Sequence, residues 1–444
     1  MNKQRRIIAV IVAVLILSLF FTPIVVRSSM NFDHTVWSVA FGGINYDEGS
    51  SIVPCDNGGY VMSGRTQGFE VLPHDDEVWL VHCDQDGNHL WNRTYGGGMK
   101  YGGHMSTHHH SVTVIKAENE GFLLTSHTTN FGPGDVNGWL IHTDGNGIHL
   151  WNHTYGGASD EVLIKSARSS DGGYVSVGFS ENITAGIIDG WIIRTDADGQ
   201  HIWNSTCGVV DIGEIFTDVI EINQGGFLIA GYLGGFSDFE DRSGAPPDVW
   251  LYCIDADGNH LWNRTYGGSD VDGPNQVIQC TNEDFAIFGG TASFGAGNLD
   301  AWLLRVDHNG NHLWNQTYGG ENIESGFGVA ECQDGGFALF TLSYTDAIGT
   351  SDAWIIRTDS SGTPIWDQKY VGDDFDQFWG GICIDDAFVA VGITKSFGSG
   401  HVDMWVTKIP DRAPSIPIDI IQVTMIGTIV AGIFLVVVIF IRRR

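Results

Sequence analysis

Residues 160–207 read DEVLIKSARSSDGGYVSVGFSENITAGIIDGWIIRTDADGQHIWNSTC, and this stretch decides the fold. Four runs rich in β-branched and aromatic residues alternate with turns, which predicts four short strands: EVLIKSARSS as strand a, GYVSVG as b, GWIIRTD as c and HIWNST as d. The intervening DGG and DADG segments are typical of hairpin turns, because glycine adopts positive φ without strain.

The same unit returns seven times along the chain, about every fifty residues. Each copy carries one tryptophan in a D-x-W-like strand c and one in a strand d of the type LWNxTYGG. The first series is Trp79, Trp139, Trp191, Trp250, Trp302, Trp354 and Trp405, and the second is Trp37, Trp91, Trp151, Trp203, Trp262, Trp314 and Trp366. Four short strands per repeat close into a ring of blades. We therefore predict an all-β fold, a seven-bladed β-propeller with four-stranded blades.

The order of the terminal strands predicts how the ring closes. The strand around Trp37 is of type d, whereas the last one, around Trp405, is of type c. We expect a 3+1 closure, in which the N-terminal strand completes the last blade and leaves no open sheet edge.

Antiparallel strands place the a–b and c–d turns on one face of the disc and the b–c and d–a loops on the other. The irregular insertions, 68–77, 97–111 and 233–247, all fall in b–c or d–a loops. Variable loops usually mark the interaction face of a repeat protein. We expect ligand contacts there, and the candidate binding residues in the 233–247 insertion are Phe236, Asp238, Phe239, Glu240 and Arg242.

Both ends of the chain have the character of membrane segments. Residues 1–28 combine basic residues with a long apolar run, which is typical of a signal peptide or an N-terminal signal anchor. At the other end, a linker (411–417) leads to an apolar stretch predicted to be a transmembrane helix (418–441), and 442–444 are three arginines that form a cytoplasmic basic tail. The propeller, 31–410, would then be an ectodomain of the cell membrane, outside the cell.

The charge of the chain limits its partners. The net charge is −31, from 53 acidic and 22 basic residues. Such a surface is soluble and repels nucleic acid, so we expect no nucleic-acid partner. We expect an extracellular protein or glycan ligand and a monomeric propeller.

Thr154–Gly178, which reads TYGGASDEV followed nine residues later by DGGYVSVG, resembles the SBBP family of seven-bladed propeller repeats. The TDxDGxHxW segments are similar to the W-motifs of quinoprotein-like (PQQ-like) propellers. The resemblance covers about 35–409 and implies the fold, while the families contain binding, adhesion and scaffold proteins as well as enzymes. The C-terminal spacer, apolar segment and arginine tail are similar to surface-anchoring tails of archaeal exported proteins.

Two groups of side chains are candidate metal ligands, with no cofactor certain. The d–a loops carry acids such as Asp47 with Glu48 and Asp160 with Glu161, which would form an acidic ring for Ca²⁺ if they converge at the channel mouth. Blade 2 differs, because its loop contains His104, His108, His109 and His110, a set with the i, i+4 spacing of a divalent-metal site. The alternative for the acids is capping of backbone amides in turns. The DxDGN turns lack a twelfth-position Glu, so hairpin chemistry explains them better than calcium loops.

The cysteines and the sequons both follow the repeat. Four of the seven cysteines, Cys55, Cys280, Cys332 and Cys383, share one position in different blades. We expect that position to be too far from its neighbour for a disulfide. Glycosylation sequons recur after the strand-d tryptophan, and the candidates are Asn92, Asn152, Asn204, Asn263 and Asn315, with Asn182 in a b–c loop. The alternative is that WNxT is simply the consensus of the repeat.

No catalytic motif stands out in the sequence. The leading hypothesis is therefore a membrane-anchored extracellular propeller that acts as a non-catalytic binding, adhesion or protein-interaction scaffold. The alternatives are a metal-dependent extracytoplasmic enzyme acting on glycans or small substrates, and a structural surface-layer component.

Overall fold

Seven four-stranded antiparallel sheets follow one another around a ring, which confirms the seven-bladed propeller. The structure is a computed structural model that describes residues 35–56, 58–68, 76–99, 112–182, 187–209, 212–234, 246–344, 350–398 and 401–413, with 429–430 and 433–434.

Six of the blades are built from strands that follow one another in sequence. Blade 1 contains β2 (Asp47–Pro54), β3 (Tyr60–Thr66), β4 (Asp76–Cys83) and β5 (His89–Met99). Blade 2 contains β6 (Thr113–Lys116), β7 (Phe122–Thr128), β8 (Asn137–Thr143) and β9 (His149–Tyr155), and blade 3 contains β10 (Asp160–Arg168), β11 (Tyr174–Asn182), β12 (Ile187–Thr195) and β13 (His201–Cys207). Blade 4 contains β14 (Glu214–Glu221), β15 (Phe227–Leu233), β16 (Asp248–Ile254) and β17 (His260–Tyr266); blade 5 contains β18 (Asp272–Gln279), β19 (Phe285–Thr291), β20 (Asp300–Val306) and β21 (His312–Tyr318); blade 6 contains β22 (Glu324–Glu331), β23 (Phe337–Tyr344), β24 (Ser351–Thr358) and β25 (Pro364–Tyr370).

The seventh sheet combines the two ends of the repeat region. Its strand order is β1–β28–β27–β26, where β1 is Trp37–Phe41, β26 is Asp376–Ile384, β27 is Ala387–Thr394 and β28 is Asp403–Pro410. Trp37 lies opposite Lys408, and Phe41 lies opposite Met404. This sheet packs on β2 of blade 1.

The hydrophobic core lies between blades, because each sheet has two apolar faces. Seven clusters of buried side chains each join two neighbouring blades. The strand-c tryptophans lie in these clusters, and Trp79 and Trp405 are among the largest fully buried side chains.

A second contact between blades explains three repeat positions together. The c–d turn glycine of one blade packs on the strand-d tryptophan of the preceding blade, as Gly199 does on Trp151. The tyrosine of the TYGG segment donates to the carbonyl of the same glycine, from Tyr155 to Gly199 at 2.6 Å. Tyr95 and Tyr318 make the equivalent hydrogen bonds. The Trp, Tyr and Gly of the repeat therefore form the same contact between several pairs of neighbouring blades.

The predicted membrane segments fall largely outside the described residues. Residues 1–28 and 442–444 lie wholly outside, and of 418–441 only Ile429–Val430 (β29) and Ile433–Phe434 (β30) are described, as two paired short strands. Among the residues that the structure describes, no helix has the length and apolar character needed to cross a membrane. The membrane helices therefore stay predictions.

Candidate functional site

The two faces of the disc differ in regularity. We name the face with the a–b and c–d turns the turn face, and the face with the b–c and d–a loops the insertion face. Every c–d turn between consecutive strands is five residues long, whereas the b–c connections range from four residues (183–186) to fourteen (234–247). The candidate residues of two insertions lie outside the described residues: Phe236, Asp238, Phe239, Glu240 and Arg242 in one, and His104, His108, His109 and His110 in the other.

The c–d turns satisfy their own polar groups. In the first, Oδ1 of Asp84 accepts the backbone N–H groups of Asp86 and Asn88 at 2.9 and 2.8 Å. Asp144, Asp196, Asp255, Asp307 and Asp359 make the same pair of bonds in their blades. A side-chain hydrogen bond from Asn259, together with the two backbone bonds, lowers the pKa of the exposed carboxyl of Asp255. The hairpin interpretation of the DxDGN turns is the one that this geometry supports.

The acids of the d–a loops are placed differently from the expected open ring. In each of six blades, one acid at the start of strand a is buried. Five of these acids accept a backbone N–H from the preceding d–a turn: Asp47, Glu161, Glu214, Asp272 and Glu324. The sixth, Asp376, lies against Gly372 of its turn. The bond from Gly43 to Asp47 is 2.7 Å long. Asp160 is half-buried and accepts the N–H of Val136. Within the described ranges, no group of three or more His, Cys, Asp or Glu side chains is arranged to bind a metal ion.

Each buried acid has a partner on strand c of the preceding blade, two residues before the tryptophan. We call these carboxyls the junction pairs, and they are Asp47–Asp403, Glu214–Asp189, Asp272–Asp248, Glu324–Asp300 and Asp376–Asp352, the last of which is connected only through contacts of both acids with Gly372. In the first four pairs, oxygen atoms of both acids lie close to the same glycine of the d–a turn. A Cβ atom added to that glycine would collide with them. At the junction of blades 2 and 3 the pair is Glu161 with Asn137, so an amide replaces one carboxyl.

The junction pairs hold like charges close together in a buried place. Burial, with the nearby charge of Asp403, raises the pKa of Asp47 to about 6. Burial, with the charge of Asp189, raises the pKa of Glu214 to about 7. Oε2 of Glu214 is buried and has no hydrogen-bond partner among the described residues. In these two pairs the arrangement favours a protonated Asp47 and a protonated Glu214, because two neighbouring buried carboxyls cannot both ionise without cost.

Blade 1 adds a buried ion cluster on the insertion face. Nε of Arg65 lies 2.7 Å from Oε1 of Glu48, and its Nη1 lies 3.0 Å from Oδ2 of Asp76. All three side chains are almost fully buried, and the guanidinium also lies over the ring of Tyr46 at 5.4 Å. Burial raises the pKa of Glu48, while the charge of Arg65 opposes the rise. Glu48, a candidate metal ligand from the sequence, is therefore paired with an arginine.

The central channel contains residues that the sequence did not single out. In six blades strand a has a register irregularity, and a β-bulge turns a side chain out of the ladder. The residues at these points are Ser50, Ile164, Thr217, Asn275, Phe327 and Trp379. Toward the turn face, a cavity of about 370 Å³ is lined by Lys165, Asp218 and Gln276 among others. The one signal of these channel residues in the sequence was Trp379, because it belongs to neither tryptophan series. Its ring stacks on that of Phe327, with 6.5 Å between the ring centroids.

The sequon asparagines have structural partners. Nε1 of Trp139 donates to Oδ1 of Asn152 at 3.2 Å, and Nδ2 of Asn152 lies 2.8 Å from Nε2 of His149. The contact between asparagine and histidine recurs at Asn92, Asn204, Asn263 and Asn315. Blade 6 has Asp367 in the asparagine position, and it accepts the bond from Trp354 at 2.8 Å. The repeat of W-N thus has a structural cause, while glycosylation stays a prediction; Asn182 ends β11.

The expectation for the cysteines was wrong at one junction. Sγ of Cys332 and Sγ of Cys383 are 2.9 Å apart, although they occupy equivalent positions in neighbouring blades. No disulfide joins any of the seven cysteines in this structure.

No family model matches the chain, and no curated protein matches it either. Solved structures of similar shape include the WD40 β-propeller domain of Doa1, which is 12% identical with a TM-score of 0.49 and covers 85% of this chain and 97% of that one. The WD40 domain of Neurospora crassa Pan2 is 10% identical with a TM-score of 0.48, covering 88% and 96%. A PL25 ulvan lyase is 10% identical with a TM-score of 0.49, covering 84% and 96%. These scores are below 0.5, so the likenesses do not bear on what this chain binds, and the SBBP-type resemblance stays a prediction.

Proposed function

We propose that this chain is a membrane-anchored extracellular propeller that binds a protein or glycan through the insertion face and performs no catalysis. The observation that carries the proposal is the contrast between the faces. The turn face repeats one five-residue c–d turn whose carboxylates accept backbone N–H groups, whereas the b–c connections of the insertion face range from four to fourteen residues. A rigid ring with variable loops on one side is an arrangement suited to recognition. The apolar segments at the ends, each next to basic residues, support anchoring.

The test exchanges one loop on each face of blade 4. Residues 234–247 are replaced by the b–c segment of blade 5, residues 292–299, in the full-length protein. The matched control replaces the c–d turn 255–259 with residues 307–311. Binding to an isolated cell-envelope fraction should be lost in the first variant and kept in the control, with equal melting temperatures. Equal binding by both variants would overturn the assignment of the face.

A structural role in a surface layer is the second candidate function. Exposed apolar side chains on strand d, the outer edge of each blade, favour it. The residue before the strand-d tryptophan is an aliphatic side chain that is about half-exposed in six blades: Leu90, Leu150, Ile202, Leu261, Leu313 and Ile365. Sedimentation of the purified protein separates the two ideas. A monomer at all concentrations argues against the layer, whereas reversible assembly that Leu150→Ser and Leu261→Ser weaken would favour it.

A further inference from the structure

Two inner strands approach each other unusually closely between blades 6 and 7. A Cβ atom on Gly328 of β22 would lie 2.8 Å from Cα of Gly380 of β26, so the two strands meet with no side chain between them. Both strands carry a register irregularity at this level. Because the backbones are in contact here, the residues that follow toward the turn face are also brought together.

Cys332 and Cys383 are those residues. Cys332 follows β22 and is held in its hairpin by bonds with Gly336 and Gly335, and Cys383 lies in β26. Their sulfur atoms are 2.9 Å apart and 51 residues apart in sequence. Both pack in the cluster shared by blades 6 and 7, against side chains such as Phe388 and Ile409.

The surroundings exclude other uses of these thiols. The hydrogen bond with Cys332, together with burial, raises the pKa of the Cys383 thiol, so Cys383 does not supply a thiolate nucleophile in the folded reduced protein. Arg357, the guanidinium nearest the pair, is occupied by Asp334 at 2.7 Å and Asp411 at 3.0 Å. No third metal-ligating side chain joins the two sulfurs among the described residues. What remains is a bond between the sulfurs themselves.

We propose that Cys332 and Cys383 form a disulfide that links the inner strands of blades 6 and 7. A sulfur separation near 2.9 Å needs only a small side-chain movement to reach the bonded distance of about 2.05 Å. The other cysteines at this repeat position have different neighbours: Cys280 contacts the guanidinium of Arg305, and Cys55 packs in the cluster shared by blades 1 and 2.

The reaction balances with a low-molecular-weight disulfide as the oxidant. The thiolate of one cysteine attacks this disulfide, forms a mixed disulfide and releases one thiol. The second cysteine then attacks the mixed disulfide, the protein disulfide forms and a second thiol leaves. Two electrons and two protons thus pass to the oxidant. Because the thiols are buried in the finished ring, the exchange takes place during folding, before blades 6 and 7 have packed.

The test uses the full-length protein refolded with a mixture of oxidised and reduced glutathione, then denatured and alkylated. Peptide mapping without reductant should yield one cross-linked species containing Cys332 and Cys383, lighter by two hydrogens. Cys332→Ser and Cys383→Ser should each abolish it and leave the other cysteine alkylated. The control Cys280→Ser, at the same position in blade 5, should leave it unchanged. Reductant should lower the melting temperature of the wild type and of Cys280→Ser.

Recovery of both peptides fully alkylated after oxidative refolding would overturn the proposal, whatever the variants do. So would a cross-link that persists in Cys332→Ser. The proposal depends on the proposed extracellular location only for the source of oxidant in the cell. Refolding in a defined glutathione mixture therefore tests it separately from that location.

Discussion

Glu214→Gln should stabilise the propeller at neutral and alkaline pH and leave it unchanged in acid. The Glu214 side chain is fully buried at the junction of blades 3 and 4, and its Oε1 accepts the N–H of Val209 at 2.8 Å. Its other oxygen approaches the same glycine, Gly208, as Oδ1 of Asp189. Glutamine retains an acceptor for Val209 and offers an N–H to Asp189. Asn137 stands in the position of Asp189 at the junction of blades 2 and 3, where it faces Glu161, so one such pair already contains an amide opposite its strand-a acid.

The magnitude follows from the raised pKa. Burial and the charge of Asp189 raise the pKa of Glu214 from 4.5 to about 7. Below pH 4.5 the folded and unfolded states both carry the proton, and the group does not change the free energy of unfolding. Between pH 4.5 and 7 the unfolded state releases the proton while the folded state keeps it, so stability falls across this window and the loss is complete above pH 7. At about 1.4 kcal/mol per pKa unit, the full loss above pH 7 is about 3 kcal/mol.

The assay is urea unfolding followed by tryptophan fluorescence at pH 4, 6 and 8. The free energy of unfolding of Glu214→Gln should exceed that of the wild type by up to about 3 kcal/mol at pH 8 and match it at pH 4. Asp189→Asn relieves the same repulsion, so the double variant should gain less than the sum of the two single gains. A gain that is equal at pH 4 and pH 8, or no gain at pH 8, would refute the account that burial and the charge of Asp189 raise the pKa of Glu214.

Three further predictions concern other contacts. Phe41→Ala should cost about 3–5 kcal/mol in urea unfolding, because it removes a fully buried ring of β1 from the junction of blades 7 and 1, whereas Val36→Ala, at an exposed neighbour, should cost almost nothing. Tyr155→Phe should lower the free energy of unfolding by about 1 kcal/mol, since it deletes one buried hydrogen bond between blades; an unchanged value would show that the bond contributes nothing. Arg65→Met should destabilise blade 1 by about 3–5 kcal/mol at pH 7, because Glu48 is left without its cation, and by less at pH 4, where the carboxyls take up protons; a loss independent of pH would contradict this.

The blades could be predicted from the sequence because the same pattern of strand and turn residues occurs in seven copies, and each copy supports the assignment of the others. The four strands expected in repeat three match β10 to β13, and the DADG and DGG turns lie where they were placed. Glycine at 173 and 199 has positive φ, as the turn chemistry requires. The insertions were also assigned to b–c and d–a loops by strand order alone, while all of their candidate residues lie outside the described residues.

The candidate site was harder to predict because identical sequence positions meet different neighbours. Asp47 and Glu48 are adjacent in sequence, yet one faces Asp403 and the other faces Arg65. The asparagine of WNxT matches a sequon, but the bond from the strand-c tryptophan of its own blade is visible only in the folded sheet. Neither distinction is encoded in residue type or spacing.

Periodicity in the chain determined the number of blades, the strands within them and the separation of regular turns from variable loops, because these depend on local hydrogen bonding and alternation of side chains. Packing between blades decided which groups are buried and paired. The carboxyl pairs and the contact between Cys332 and Cys383 join neighbouring blades, so they arise only when the ring is assembled, whereas the Arg65 cluster forms when the strands of blade 1 pair. The glycines at 328 and 380 show the reason most directly: each is an ordinary small residue in its own strand, and only their meeting brings the two sulfurs together.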